Sequence, residues 1–428
     1  MNNLIIPTII TQHAEEAAFL WLLRDTAIHE PHYSLKDLAK LDNRVEAHID
    51  GLRIAGDEGW EICKEALAWK EAGEIFTASV LAFESGNEDR IKEVLKAGAS
   101  DPGLSRGNIS ALGWIDYSIS QKHIQTLLDS ESPTLRRIGI AACAVHRKDP
   151  GKYLSDALAG NDALLKTRAL RAAGELGRKD LLPFVSTLMN DKDDHCRFRA
   201  SWSAAILGHV DAVSVLKTFI ISSNPPHPNP LPKGARELSE EAVKLGMRRL
   251  DISGAHTWQK ELAQNPGTLR FALIGAGVIG DPVLIPWLIE YMNTPEQARV
   301  AGEAFTMITG VDIAFQDLDG EKHEGFEAGP NENPEDEDVE MDPDEDLPRP
   351  NPELVPGWWN KNKGQFKNGT RYILGKPVTA DHLQQVLRTG MQRQRAAAAL
   401  ELVIMKPGQP VFEVRAPGYR QQKILGLK

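Results

Sequence analysis

The chain has 428 residues, 42% of them hydrophobic, 25% charged and 6% aromatic, with a formal net charge of −11. That length suits two to three domains or one elongated repeat array, and no run of about 18 apolar residues is present to cross a membrane as a helix. Three cysteines, Cys63, Cys143 and Cys196, are far apart and odd in number, which speaks against a disulfide framework or a CxxC zinc site and suits a reducing cytoplasm. The opening stretch to Ile10 lacks a basic n-region and is broken by Pro7, so no secretory leader is expected and the chain is assigned to the cytoplasm.

In chain order, residues 1–57 are expected to form an N-terminal helical cap. From 58 to 223 the sequence repeats itself, and repeats decide a fold before anything else does. A 31-residue register places Arg106, Arg137, Arg168 and Arg199 in one phase and Ala111, Ala142, Ala173 and Ala204 in a second. Asp149, Asp180 and Asp211 mark a third phase, and Leu127, Leu158, Met189 and Ile220 a fourth. Each copy predicts a helical hairpin. In Thr167–Gly177 small and apolar residues recur at helical spacing, Gly177 and Asp180 supply the turn, and Pro183 opens a second helix where a missing N–H costs little. The four arginines predict a ladder along one edge of the first helices. Such a ladder either ties each hairpin to its neighbour through the aspartate series or faces an acidic partner or polyanion.

Residues 224–237 predict a Pro-rich inserted loop, because each proline removes a donor and restricts the residue before it; a polyproline ligand for an SH3-like domain is the sharper alternative. The repeats resume over 238–316. There Gly275-Ala-Gly277-Val-Ile-Gly280 fits GxGxxG, but Asp281-Pro282 follows at once and no alternation of strand and helix surrounds it. The expected element is therefore a repeat helix with small residues packed on a neighbour, and no nucleotide site. Residues 317–356 predict an acidic disordered linker: 317–346 holds 15 acidic and one basic residue, a net of −14. The spacing around Asp317 and Asp319 puts Phe315 and Phe326 where a calcium loop needs carboxylates. His195-Cys196 lacks the further ligands of a zinc site.

Residues 357–428 predict a basic C-terminal helical cap, with 13 basic and 3 acidic residues between 356 and 428, a net of +10. Trp358, Trp359, Lys361, Lys363, Phe366, Lys367, Arg371 and Tyr372 mix aromatic and basic side chains as single-stranded nucleic-acid surfaces do, although tryptophans at a helix end are more often core anchors. Candidate partner-binding residues are Arg106, Arg137, Arg168, Arg199, Trp358, Trp359, Arg371, Arg393 and Arg395. No catalytic residue, cofactor or metal ligand is expected.

The paired helices, the small residues of the first helix, the recurring Arg and Asp and the Pro opening the second helix resemble the HEAT repeat. That implies an all-α fold, an α-solenoid of HEAT-like hairpins with an acidic disordered insertion, offering an extended face to partners. Ala298–Gly310, Gly369–Pro377, Gln394–Leu402 and Arg415–Gly418 together resemble a family of proteobacterial HEAT-repeat proteins encoded beside type VI secretion clusters. What this resemblance implies is a non-catalytic scaffold or adaptor, binding protein partners that include secretion components. Two alternatives stay open: a nucleic-acid-binding protein of the HEAT-like DNA glycosylase kind, using the basic block, and an enzyme of the HEAT-like bilin lyase kind, for which the residues supply no chemistry.

Overall fold

The computed structural model describes residues 6–220, 233–321 and 342–427. The Pro-rich run at 224–232 and the acidic run at 322–341 lie outside the described residues. The described residues are predominantly helical, and the named strands among them are the two-residue pair Tyr372–Ile373 and Lys376–Pro377, which run antiparallel. Adjacent antiparallel helices form the hairpins of a HEAT-like α-solenoid.

The chain divides into two compact units, Met1–Ser203 with Val386–Ala399 and Lys406–Lys428, and Ala204–Gln385 with Leu400–Met405. The block read as a basic C-terminal cap is thus shared between them. In the first unit, Pro7–Ala27 pairs with Leu35–Ala55, whose start is fixed by a capping box between Ser34 and Asp37. Hairpins follow at Ala72–Ser85 with Glu88–Ala99, Ser105–Trp114 with Tyr117–Leu128, Pro133–Val145 with Lys152–Ala159, and Ala163–Glu175 with Leu182–Thr187. The last of these second helices opens on Pro183, as its N–H-free first turn allows. Trp21 stacks on Phe76 and Phe76 meets Trp114 edge-on, with ring centroids 5.1 and 5.4 Å apart, linking three successive first helices.

In the second unit the hairpins are Lys233–Arg249 with Ile252–Ala263 and Leu269–Ile279 with Ile285–Tyr291, followed by Pro295–Thr309. Gly275 and Gly277 lie inside the helix Leu269–Ile279, and Gly277 meets the backbone of Ala304 on the next first helix. The GxGxxG string is therefore a helix-packing surface. Residues 317–321 and 342–356, assigned to the acidic linker from sequence, are packed parts of this unit. Asp319 bridges Pro350, Asp342 pairs with Arg299 at 2.6 Å, and Asp344 pairs with Arg270 at 2.5 Å.

Within each unit a returning segment of the C-terminal block crosses the ends of first helices and uses their orphan carbonyls. In the second unit the N–H groups of Tyr372, Leu374 and Gly375 donate to the carbonyls of Gly280, Met307 and Ile308, at 2.8, 2.8 and 3.0 Å. In the first, the Val411 N–H donates to the Glu175 carbonyl at 2.9 Å. A helix leaves its last four carbonyls without internal partners, so these contacts satisfy groups that otherwise need water. Gly177 (φ +69°) ends a first helix there, and a Cβ on it would sit 2.6 Å from the Gln409 carbonyl oxygen. Only glycine fits both the dihedral and the approach.

His146, just past the helix Pro133–Val145, donates from Nε2 to the Leu112 carbonyl at 2.7 Å. Burial, helped by Arg420, pushes its imidazole down to about 4. The unfolded ring titrates near 6.5, so the folded state binds fewer protons between those values. Stability from this group is complete above about pH 6.5 and is lost as pH falls towards 4, by up to about 3 kcal/mol. Denaturant midpoints of the first unit measured from pH 7 to 4 should fall accordingly, and His146→Gln should flatten the slope. Some slope remains from His123, which burial also lowers.

Candidate partner-binding cleft

The hairpin Leu269–Ile279 and Ile285–Tyr291 forms one bank of an open cleft. Asp281, 3% exposed, organises it. Its Oδ1 accepts the Val283 N–H at 3.2 Å, capping the 3₁₀ turn Pro282–Leu284, and the Gly369 N–H at 3.0 Å. Its Oδ2 lies 2.9 Å from His256 Nε2. One buried carboxylate thus joins the start of a second helix to the loop before Tyr372. Asp281→Ala leaves two N–H groups and His256 without their acceptor and is expected to cost about 2 kcal/mol. Hydrogen exchange should show the loss at Val283 and Gly369 first.

The facing bank is the helix Leu354–Asn362 with the turn and loop that follow it. Trp358 packs edge-on against Phe305, with centroids 5.6 Å apart, and is a core anchor. Trp359 contacts Phe366 at 5.4 Å, and Phe366 contacts Tyr372 at 5.2 Å, while the Tyr372 hydroxyl accepts the Lys367 N–H at 3.0 Å. Between the banks lies a space of about 740 Å³, lined by Pro282, Val283, Pro286, Ile289, Pro356, Trp359, Asn360, Lys363, Phe366, Lys367 and Asn368. This volume falls in the range of ligand sites. Its wall offers prolyl, aliphatic and aromatic surface, two ammonium groups and two amides, and it holds no carboxylate, histidine, cysteine or hydroxyl.

Of the residues singled out from sequence, Trp359 lines the cleft and Trp358 supports it. Arg371 is turned inward, with Nη2 2.5 Å from the buried Glu401 and Nε 3.3 Å from the Ile279 carbonyl oxygen. Arg395 is fully buried, donating to the Leu387 carbonyl at 2.8 Å and contacting Gln392 and Gln421, and burial pushes its guanidinium down to about 10. Arg393 donates to the His29 carbonyl at 2.7 Å.

The arginine ladder finds separate local partners. Arg106 pairs with Asp25, Arg137 donates to Ser105 Oγ at 2.9 Å, and Arg168 pairs with Glu175 at 2.9 Å. The Arg199 guanidinium lies 5.0 Å from the Phe198 ring centroid. Asp149 and Asp180 instead hold Arg178, at 2.5 and 2.7 Å. The aspartates follow the end of a first helix, and the bonds of Arg106, Arg137 and Arg168 given above go to residues outside that series. Cys63 and Cys143 are buried thiols pushed up to about 12 by burial, far from thiolate chemistry at neutral pH.

Sequence reasoning missed Pro282, Val283, Pro286 and Ile289. The signal was Pro282-Val-Leu-Ile-Pro286 with an apolar residue left on the outer side, since Val283 is 49% exposed. It also missed Glu175, Glu401 and Glu413, lone acids within basic or apolar stretches.

Residues 152–226 match a family model described as HEAT repeats. None of the curated proteins and none of the solved structures matches the chain. With the hairpin architecture, this match supports a HEAT-like α-solenoid, and HEAT repeats generally serve as protein-interaction scaffolds. No described helix is long and apolar enough to cross a membrane.

Proposed function

We infer that the chain is a non-catalytic cytoplasmic scaffold that holds a protein partner at the cleft of the second unit. The cleft carries this reading: Trp359 and Phe366 stand beside Lys363 and Lys367 on a wall whose other residues are aliphatic, prolyl and two asparagines. Aromatic anchors with a polar rim are the usual energetic centre of a protein interface. The finer assignment, an accessory in assembling or loading a type VI secretion apparatus, draws its support from the four strings around Ala298, Gly369, Gln394 and Arg415.

Nucleic-acid binding is the second reading, and the exposed lysines beside the half-buried Trp359 and Phe366 favour it. Against an extended polyanion track, Arg371 and Arg415 are committed to carboxylates and Arg395 is buried. The test is crosslinked affinity purification of the full chain from its native host, wild type beside Trp359→Ala, read by mass spectrometry. Secretion components recovered by the wild type and lost from the variant are the expected result. Ribosomal or nucleoid proteins alone, retained by the variant, would overturn it.

A further inference from the structure

We propose that this cleft takes an extended acidic peptide of a partner protein, with an apolar or aromatic side chain set between its carboxylates. The inference rests on the cleft's being a protein-partner site and names the chemistry of that partner.

Three observations carry it. The first is charge. Lys363 and Lys367 are exposed on the lining, and no lining residue is acidic; of the two carboxylates next in sequence to a lining residue, Asp281 is buried and turned to Gly369, Val283 and His256, and Glu290 is exposed but outside the lining. The lining itself therefore offers a carboxylate-bearing ligand only complementary charge, which steers its approach and disfavours basic competitors. The second is shape and surface. Pro286, Val283 and Ile289 face Trp359 and Phe366 across the opening, a slot for one apolar side chain, while the exposed Asn368 amide at the rim suits a peptide backbone. The third is an internal precedent. The same unit already holds an acidic segment, Asp342-Pro343-Asp344. Asp342 accepts from Arg299 at 2.6 Å, and Asp344 takes both Nη groups of Arg270 at 2.5 and 2.8 Å. Pairing cationic side chains with the carboxylates of a proline-containing acidic turn is thus a chemistry that this unit performs on its own chain.

The test uses the full chain and fluorescence anisotropy. The probe is a short fluorescein-labelled peptide of Asp and Glu residues flanking a Leu-Phe-Pro core; a Lys-for-acid version and oligodeoxythymidine serve as comparators. The acidic probe should bind, the Lys version should not, and affinity should fall as salt rises. Trp359→Ala and the double variant Lys363→Gln/Lys367→Gln should each weaken binding at least about tenfold. Val283→Asp changes an exposed side chain without touching the core and should abolish binding in a chain whose unfolding is unchanged. Equal binding of acidic and basic probes, or indifference to Val283→Asp, overturns the proposal. So does tighter binding of the oligonucleotide, lost in the same variants, which gives the cleft to nucleic acid. Binding that emerges only when the acids between 322 and 341 are changed to amides assigns the cleft to this chain's own acidic run and likewise overturns it. If the probe fails while purification still recovers a partner dependent on Trp359, the scaffold reading stands and the acidic ligand alone is rejected.

Discussion

Replacing Glu175 with glutamine lowers the stability of the first unit by about 3–5 kcal/mol. Glu175 is 3% exposed, at the end of the helix Ala163–Glu175. One carboxylate oxygen lies 2.9 Å from Arg168, and the other 2.8 Å from Arg171 and 3.5 Å from Arg415. Burial alone raises a carboxyl's pKa, but these arginines, with Arg147 beyond them, hold Glu175 well below the usual carboxylate range. An amide of the same shape removes the charge and leaves several cations facing one another in a desolvated site. Glu413, beside Arg415 and Arg147, is held down to about 2 by the same logic, against the upward push of burial. Both groups lower their folded pKa, so their stabilisation is complete above about pH 4.5 and disappears as acid titrates them through the folded value. Hydrogen exchange in the helix Ala163–Glu175 reads the effect. A loss under about 1 kcal/mol would show that the cluster is hydrated and carries little of the fold.

Truncating the chain after Met405 should abolish cooperative unfolding of the first unit. Residues 406–428 supply the Val411 N–H for the Glu175 carbonyl, Glu413 for Arg147 at 3.0 Å, and Arg415 for Glu175. They also supply the carbonyls of Arg415 and Ala416 to Arg24, at 2.7 and 3.0 Å, and the Gly418 N–H to Asp42 at 2.5 Å. Arg24 and Asp42 pair at 2.9 Å and are buried, 6% and 3% exposed, so the cut strips partners from an ion pair that cannot easily rehydrate. Gln421, the acceptor for Arg395 at 2.5 Å, goes with them. The summed cost exceeds about 5 kcal/mol, comparable to the whole stability of a domain. Limited proteolysis should cut within 6–203 of the truncated chain, and a synthetic peptide of residues 406–428 should restore protection. Protection without the peptide would mean that the hairpins stand alone.

The hairpins were legible because helical spacing, small residues and prolines are local signals. Reading Gly275–Gly280 as a packing helix needed only the absence of flanking strands. The partners of the charges were not legible. Arg168 and Glu175 lie seven residues apart, two helical turns on one face, and a helical projection finds that pair. Arg415 reaches the same carboxylate across 240 residues, and no spacing rule encodes it. For the same reason the net charge of 356–428 misled: a formal sum counts Arg371, Arg395 and Arg415 as free surface, and only their neighbours reveal that they are committed. Half of the cleft could be suspected from Trp359 and the lysines around it. Its other bank is a hairpin earlier in the chain, tied alongside by the Gly369 bond to Asp281, 88 residues away.

The return of residues 406–428 to the first hairpins has a consequence for biosynthesis. Residues 1–203 leave the ribosome while some two hundred further residues are still to be made, an interval of about 10–40 s at ordinary elongation rates. Until the closing stretch emerges, Asp42, Arg24 and Glu175 lack the groups that complete their shells, so the earliest-made hairpins must wait in an unfinished state. Chaperone occupancy of nascent chains should therefore persist on the amino-terminal repeats until translation has passed Gly418, long after those repeats are themselves complete.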